Sequence, residues 1–380
     1  MNRVPVLSVT GKPLMPTKAS RARRWLKQGI AKVVYNNLGI FQIQLIQGKK
    51  VVPRKGSQFQ SVVVGIDPGK LYTGIGVQSA LVTLWLVHLQ LPFKTVRERM
   101  EQRRMMRRNR RGRRINRKIV FSKRAHRQKR FRNRRSSKLA PSIRAKSAGQ
   151  STLSGELCAN RELELRVLDE LSQIYPINAV VYEIVRAKGD KGFSPVMVGQ
   201  KWQLANLRND FDTVVEVEGW KTAQIRTQLE LEKQKHSKGD TIPATHAVDG
   251  VALACSQFIN YGIVNRQTMG WRGCVQITSA PFAVVRRPPI SRRQLHLMIP
   301  ASGGVRRKYG GTVTRHGFRK GDYVEATQAG KTVRGWVSGD TERQVSVSDA
   351  EWKRLGQFSK NKVRLLQRST GLIVTQSSPD

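Results

Sequence analysis

The sequence predicts a mixed α/β protein. Three observations predict it. Apolar β-type runs alternate with stretches of helical periodicity across the first 260 residues. A long arginine-rich stretch of good helix propensity interrupts them, and short strand-like runs separated by glycine turns dominate after Val305.

Taken in order, residues 4–9 read as a strand, Gly11-Lys12-Pro13 as a turn, and residues 20–28 as a basic helix capped by Gly29. Residues 32–35 and 40–46 alternate as two strands around the hairpin signal Asn36-Asn37-Leu38-Gly39. Residues 60–77 and 81–91 read as strands, the first ending at the Asp67-Pro68-Gly69 turn. Between Arg97 and Arg135, 20 of 39 residues are Lys or Arg and only Glu98 and Glu101 are acidic. One straight helix of that length would reach roughly 58 Å, with Gly112 placed to interrupt it. Such a run repels itself unless polyphosphate lies along it; a disordered basic linker is the alternative.

Residues 136–152 have the composition of a linker. Helices are expected at 156–175, 198–211, 221–235 and 244–258, and strands at 179–187 and 213–217. Residues 259–300 show poor periodicity, and strands at 310–314, 322–327, 333–337, 344–348, 363–366 and 372–375 suggest a small β-barrel.

The chain has 380 residues and a formal charge of +45, from 70 Lys plus Arg against 25 Asp plus Glu. With 39% apolar residues it can build a core, which excludes wholesale disorder. The charge demands a polyanion, and a large nucleic acid is the expected standing partner. Cys158, Cys255 and Cys274 form no CxxC pair, which argues against a disulfide framework and for a reducing compartment. The N-terminus lacks a signal-peptide core and the longest apolar stretch, 81–93, is too short to span a bilayer. A soluble, cytoplasmic protein is expected.

Three acids carry the chemistry. Asp67 ends the apolar run SVVVGID on a Pro-Gly turn, although a turn-forming aspartate or the phosphate loop of an actin-like ATPase would read similarly. Glu183 is embedded in VVYEIV, where a carboxylate is costly to bury without a cation or partner; the exposed face of an edge strand is its alternative. Asp249 lies three residues after His246 in a helical pattern, so the two would share a face. His246 is then a general base, a metal ligand, or a solvent-capped residue of the first turn. Carboxylates on separate elements can converge to hold two Mg²⁺ ions (or Mn²⁺) roughly 3.5–4 Å apart against a phosphodiester.

GIDPG (65–69), the arginine-rich run, VVYEIVRA (180–187) and HAVDG (246–250), in that order, resemble the split RuvC nuclease of the transposon-encoded IscB and IsrB proteins, relatives of the type II CRISPR effector nucleases. GKPLMP (11–16) resembles the PLMP motif of that family. The resemblance covers residues 1 to about 260. It implies an RNase H-like (RuvC) core split by a bridge helix, with the PLMP domain at 1–55, RuvC segment I at 56–93, the bridge helix at 94–140, and RuvC segments II and III at 141–265. A C-terminal domain at 266–380 would read a motif flanking the target. Asp67, Glu183, His246 and Asp249 would be the nuclease residues, with Asp67, Glu183 and Asp249 as Mg²⁺ ligands. Arg103, Arg104, Arg107, Arg108, Arg110, Arg111, Arg113, Arg114 and Arg117 would grip the nucleic acid. Only 65 residues separate Glu183 from Asp249, with His236 the lone histidine before His246, which leaves no room for the HNH module of IscB. The implied protein is therefore like the HNH-lacking IsrB branch: a monomeric, RNA-guided DNA nickase bound to a guide RNA and to target double-stranded DNA in a prokaryotic cytoplasm. A RuvC-type junction resolvase, a non-catalytic RNA-binding protein and an actin-like ATPase are the competing readings.

Overall fold

The computed structural model describes residues 3–46, 60–113, 118, 120, 123, 154–186, 195–237, 239–265, 268–290 and 312–377. It is a mixed α/β structure with six α-helices and four sheets among those residues.

The N-terminal sheet has the order β2-β1-β4-β3, from β1 (Arg3–Leu7), β2 (Pro13–Lys18), β3 (Ala31–Val34) and β4 (Gln42–Leu45). Helix α1 (Ala19–Lys27) packs on it through Ala22, Trp25 and Leu26. It ends in a Schellman motif: Gly29, at φ +63°, donates to the Leu26 carbonyl at 3.1 Å, and Ile30 donates to the Trp25 carbonyl at 2.8 Å. Strand β2 did not stand out in the sequence because Pro13 and Pro16 interrupt it. It is tolerated as an edge strand, where one side needs no partner.

The main sheet runs β18-β12-β7-β6-β5-β8-β9. Its strands are β5 (Val62–Asp67), β6 (Tyr72–Ser79), β7 (Val82–Gln90), β8 (Ile177–Ile184), β9 (Val214–Glu218), β12 (Phe282–Arg286) and β18 (Ile373–Ser377). The run read as one strand over 60–77 is two antiparallel strands, β5 and β6, folded about the Asp67-Pro68-Gly69 turn. β7 is antiparallel to β6, whereas β8 is parallel to β5 and β9 is parallel to β8. Helices α3 (Gly155–Ser172) and α4 (Pro195–Asp210) supply Leu163, Val167, Leu168, Leu204 and Leu207 to the core under one face. Helix α5 (Gly219–Gln228) stops well short of 235, and Glu230 takes a positive φ of 53° just beyond it.

Helix α6 (Ala247–Cys255) lies on the opposite face, over β5 and β6, and every one of its residues is buried. Backbone meets backbone there. A β-carbon on Gly76 would collide with the Val251 backbone, and one on Gly250 would lie 2.5 Å from the Gly76 amide nitrogen. One on Gly65 would collide with the Gly250 carbonyl, and one on Gly74 with the His246 carbonyl. Four glycines thus let the helix rest directly on the sheet.

Two further strands, one not expected at all and one expected in the small β module, belong to this sheet. β12, in the stretch of poor periodicity, runs parallel to β7, and β18 pairs antiparallel with β12 instead of joining the small β module. Residues 259–300 also hold the hairpin β10 (Ile259–Asn265) and β11 (Thr268–Gly273). The small module is therefore an insertion between two strands of the main sheet. It is an antiparallel sheet of order β16-β15-β14-β13-β17, from β13 (Tyr323–Gln328), β14 (Lys331–Asp340), β15 (Gln344–Ser348), β16 (Arg354–Ser359) and β17 (Val363–Gln367). Among the described residues no hydrogen-bonded pairing joins β16 to β17, so the ladder of this small β module is an open five-stranded one. Buried Asp322 clasps its base, accepting from the Arg319 amide at 2.8 Å, the Ser369 amide at 2.9 Å and the Arg368 guanidinium at 2.8 Å.

Helix α2 (Phe93–Arg113) begins the arginine-rich run; residues 114–135, apart from 118, 120 and 123, and the expected linker at 136–152 lie outside the described residues.

The glycine contact yields a stability prediction. Gly76→Ala should lower stability by about 1–3 kcal/mol through overpacking, whereas Gly262→Ala, with open space around its position, should be neutral. Thermal unfolding of the two variants checks this, and equal melting temperatures would contradict it.

Candidate active site

β5 and β8 are parallel neighbours, so their C-terminal ends share one edge of the sheet. Ile66 is in register with Tyr182, which sets Asp67 level with Glu183 on the next strand, roughly 4.8 Å away in the hydrogen-bonding direction. Side chains alternate along a strand. Val63, Gly65 and Asp67 therefore face α6, as do Val181 and Glu183, while Val64, Ile66 and Tyr182 enter the core beneath. Asp249, in the first turn of α6, is carried to the same place by the glycine contact. Three carboxylates expected from the sequence are thus brought together. Glu183 is no edge residue: β8 lies between β5 and β9, and Glu183 is only partly exposed.

Their electrostatics follow from that crowding. Burial first, and then the Asp67 charge, push the Glu183 carboxyl up to about 7; Asp249 adds to this, while the Thr222 hydroxyl, donating to Oε2 at 2.6 Å, and Lys233 oppose it. Asp249, only 2% exposed, is likewise raised by burial and by Asp67. Arg226 and Lys233 pair with its two oxygens and pull the other way. The three acids are neighbours without forming a closed ligand shell. Asp249 is turned onto its two cations, and among the described residues no group of three or more His, Cys, Asp or Glu side chains stands ready to hold a metal ion.

His246 lies three residues before Asp249, whose amide donates to the His246 carbonyl at 3.2 Å. It is the N-cap residue of α6, its side chain is 14% exposed, and its Nδ1 lies 3.7 Å from Asp67 Oδ2. Tyr72 and His88 pack around it, with ring centroids 5.5 and 5.4 Å away. The solvent-capped alternative is therefore not what is seen. His88 is fully buried, and burial followed by the nearby His246 lowers its pKa to about 4. The Thr245 hydroxyl donates to the Ile242 carbonyl at 2.8 Å, so it accepts from His88 Nδ1 at 3.2 Å, which fixes the neutral tautomer.

Beneath the Asp67 turn lies a buried ion pair. Arg161 and Glu164, both fully buried, bond Nη1 to Oε2 at 2.6 Å. Glu164 accepts from the Thr73 hydroxyl at 2.6 Å, and Arg161 Nη2 donates to the Gly69 carbonyl at 3.2 Å. Asn160 donates to the Lys70 carbonyl at 3.0 Å. These groups hold the turn that carries Asp67. Sequence reasoning missed them, and also Tyr72, His88, Thr222, Arg226 and Lys233. Arg226 and Lys233 stand in a Lys/Glu-rich stretch that reads as a solvated helix face, and only the tertiary fold shows where they point.

Of the arginines expected to grip nucleic acid, Arg103, Arg104, Arg107 and Arg108 are exposed on α2. The backbone of Arg110, Arg111 and Arg113 continues that helix, and Arg114 and Arg117 lie outside the described residues. No helix among the described residues is long and apolar enough to cross a membrane.

What fold and site define is an α/β protein with a largely buried carboxylate cluster at one sheet edge and a strongly basic helix leading from the same sheet. Residues 4–203, more than half the chain, match the model of the RRXRR protein family, and the chain belongs to that family. The RRXRR domain is characteristic of IscB- and IsrB-type proteins. No curated protein matches the chain.

Two predictions follow from the buried groups. His88 has a folded pKa below its unfolded value of about 6.5, so it contributes stability that is full above pH 6.5 and lost as pH falls toward 4. His88→Gln should flatten denaturation midpoints across that window; an unchanged slope would exclude His88 as its source. Arg161→Met alone should cost about 3–5 kcal/mol by stranding Glu164, and adding Glu164→Leu should recover much of the loss. Denaturant titration of the single and double variants measures both.

Proposed function

We propose that the chain is an RNA-guided DNA endonuclease that nicks one strand through an RNase H-like (RuvC) site. The observation that carries this reading is the convergence of Asp67, Glu183 and Asp249, from β5, β8 and α6, at one sheet edge. The order β7-β6-β5-β8-β9, an antiparallel trio extended by two parallel strands, supports an RNase H-like core. Membership of the RRXRR family and the charge of +45 support a nucleic-acid partner, here a large guide RNA and target double-stranded DNA.

The donor set fits a hard divalent cation. It consists of carboxylate oxygens, with Asp67 pushing both Glu183 and Asp249 upward, an excess of negative charge that a cation relieves. Asp67, Glu183 and Asp249 would hold Mg²⁺ or Mn²⁺, two ions in the full site, supplying activation of water and neutralisation of charge on the phosphodiester. The protein's own contribution is positional. Thr222 fixes Glu183, Arg226 and Lys233 balance Asp249, and the Arg161–Glu164 pair anchors the Asp67 turn. His246, whose Nδ1 lies 3.7 Å from Asp67 Oδ2, would accept a proton from the attacking water. Sequence would be read by guide pairing, with the exposed arginines of α2 on the nucleic-acid backbone and the small β module, in the expected domain 266–380, reading a flanking motif.

The test is cleavage of a supercoiled plasmid bearing the target, with the protein purified on its RNA. Open circle without linear product is expected from a single site. Asp67→Ala, Glu183→Ala and Asp249→Ala should each abolish nicking while leaving guided binding nearly intact, and His246→Ala should slow it by about 10²–10⁴-fold. Wild-type rates in Glu183→Ala would overturn the assignment.

A further inference from the structure

A second concavity lies away from the carboxylates. It is a cavity of about 620 Å³ between the first turns of α2, the end of β12 and the turn at residues 349–353 of the small module. That volume falls within the range of roughly 300–1,000 Å³ typical of small-ligand clefts. Four arginines line it, Arg99, Arg103, Arg286 and Arg287, against a single carboxylate, Glu351. Glu351 is taken by Arg286 at 2.5 Å. Among the described residues neither Arg103 nor Arg287 has a carboxylate partner.

Arg99 shows how its neighbours are left. Its guanidinium is half-buried and donates to the Pro289 carbonyl at 2.6 Å and the Ile290 carbonyl at 3.4 Å, contacts that orient the charge without cancelling it. Burial, and then Arg103 and Arg287, lower its pKa. Three like charges around one cleft are held together at an electrostatic cost that an anion would remove.

The remaining feature is Trp352. It is one of three non-glycine residues with positive φ among the described residues, at +65°. A bulky side chain there strains the backbone. The turn enforces the strain: Trp352 N donates to the Asp349 carbonyl at 3.1 Å, and the Lys353 amide donates to Asp349 Oδ1 at 2.7 Å. The result sets an indole, partly exposed, on the wall of the cationic cleft. An aromatic face beside unneutralised guanidinium groups matches a base attached to a phosphate.

We infer that this cavity binds one unpaired nucleotide of a nucleic-acid strand, its phosphate among Arg99, Arg103 and Arg287 and its base stacked on Trp352. The site needs only a nucleic-acid partner, so it stands or falls separately from the nicking activity. RNA and DNA share the recognised chemistry, and the test separates them.

Full-length protein is photocrosslinked at elevated salt to short oligouridylate and oligothymidylate, each carrying one 4-thio base, and the labelled peptides are mapped. Label on the peptide containing Trp352 is expected, and the strand that gives it identifies the source. Trp352→Gly relieves the positive φ, so a purely structural Trp352 would leave that variant at least as stable with unchanged affinity. The inference expects the same or higher melting temperature together with about 5- to 150-fold weaker single-strand binding at this site, equivalent to about 1–3 kcal/mol of stacking. Duplex DNA, whose bases are paired, should lose little. Arg287→Gln should lower crosslink yield at this peptide without moving labels elsewhere. No label on this peptide, unchanged yield in Trp352→Gly and Arg287→Gln, or an equal loss for duplex would overturn it.

Discussion

The candidate site depends on one contact, the approach of α6 to β5 and β6 without intervening side chains. Gly65, Gly74 and Gly76 on the strands face Gly250 and the backbone of His246 and Val251 on the helix. Ordinary side chains on both surfaces would hold a helix roughly 10 Å from a sheet, as in other layered packings. At that separation Asp249 could not reach the charges of Asp67 and Glu183. The same glycines seat His246 at the helix start beside Asp67, so one packing constraint brings both His246 and Asp249 to the carboxylates of the strands.

Holding acids so close would be strongly unfavourable without balancing charge. The fold supplies part of that balance in two ways. Arg226 and Lys233 reach Asp249 from α5 and the segment after it, while Thr222, on the same helix, donates to Glu183. Beneath, Arg161 and Glu164 neutralise one another, so the turn bearing Asp67 is tied down without further net charge. Glu183 retains a raised pKa despite these aids, which marks where the compensation is incomplete.

Much of this was legible in the sequence, and the reason is periodicity. Strands of continuous apolar character and helices such as 156–175 announce themselves, and an acid inside such a run is conspicuous; hence Asp67, Glu183 and Asp249 stand out. β12 was hidden because FAVVR is short and followed by Arg and Pro, and its place beside β7 is a long-range pairing that local pattern does not encode. β2 was hidden by its prolines. Arg226, Lys233 and Arg161 were illegible for another reason: a charged residue looks the same in a helix whether it faces water or a carboxylate.

Asp322 has a consequence for how the chain is assembled. β12 leaves the main sheet at Arg286 and the sheet's outermost strand, β18, returns only at Ile373, so the entire small module is threaded between two hydrogen-bonded neighbours. Asp322 gathers the two crossing segments, holding Arg319 on the way in and Arg368 and Ser369 on the way out. During synthesis, the free edge of β12 must wait for that clasp to deliver its partner. An open, apolar strand edge is a template for unwanted pairing between chains. Damage to a clasp 138 residues beyond the end of β8 would therefore surface first as clumping of nascent protein, before any change in the finished fold could be observed.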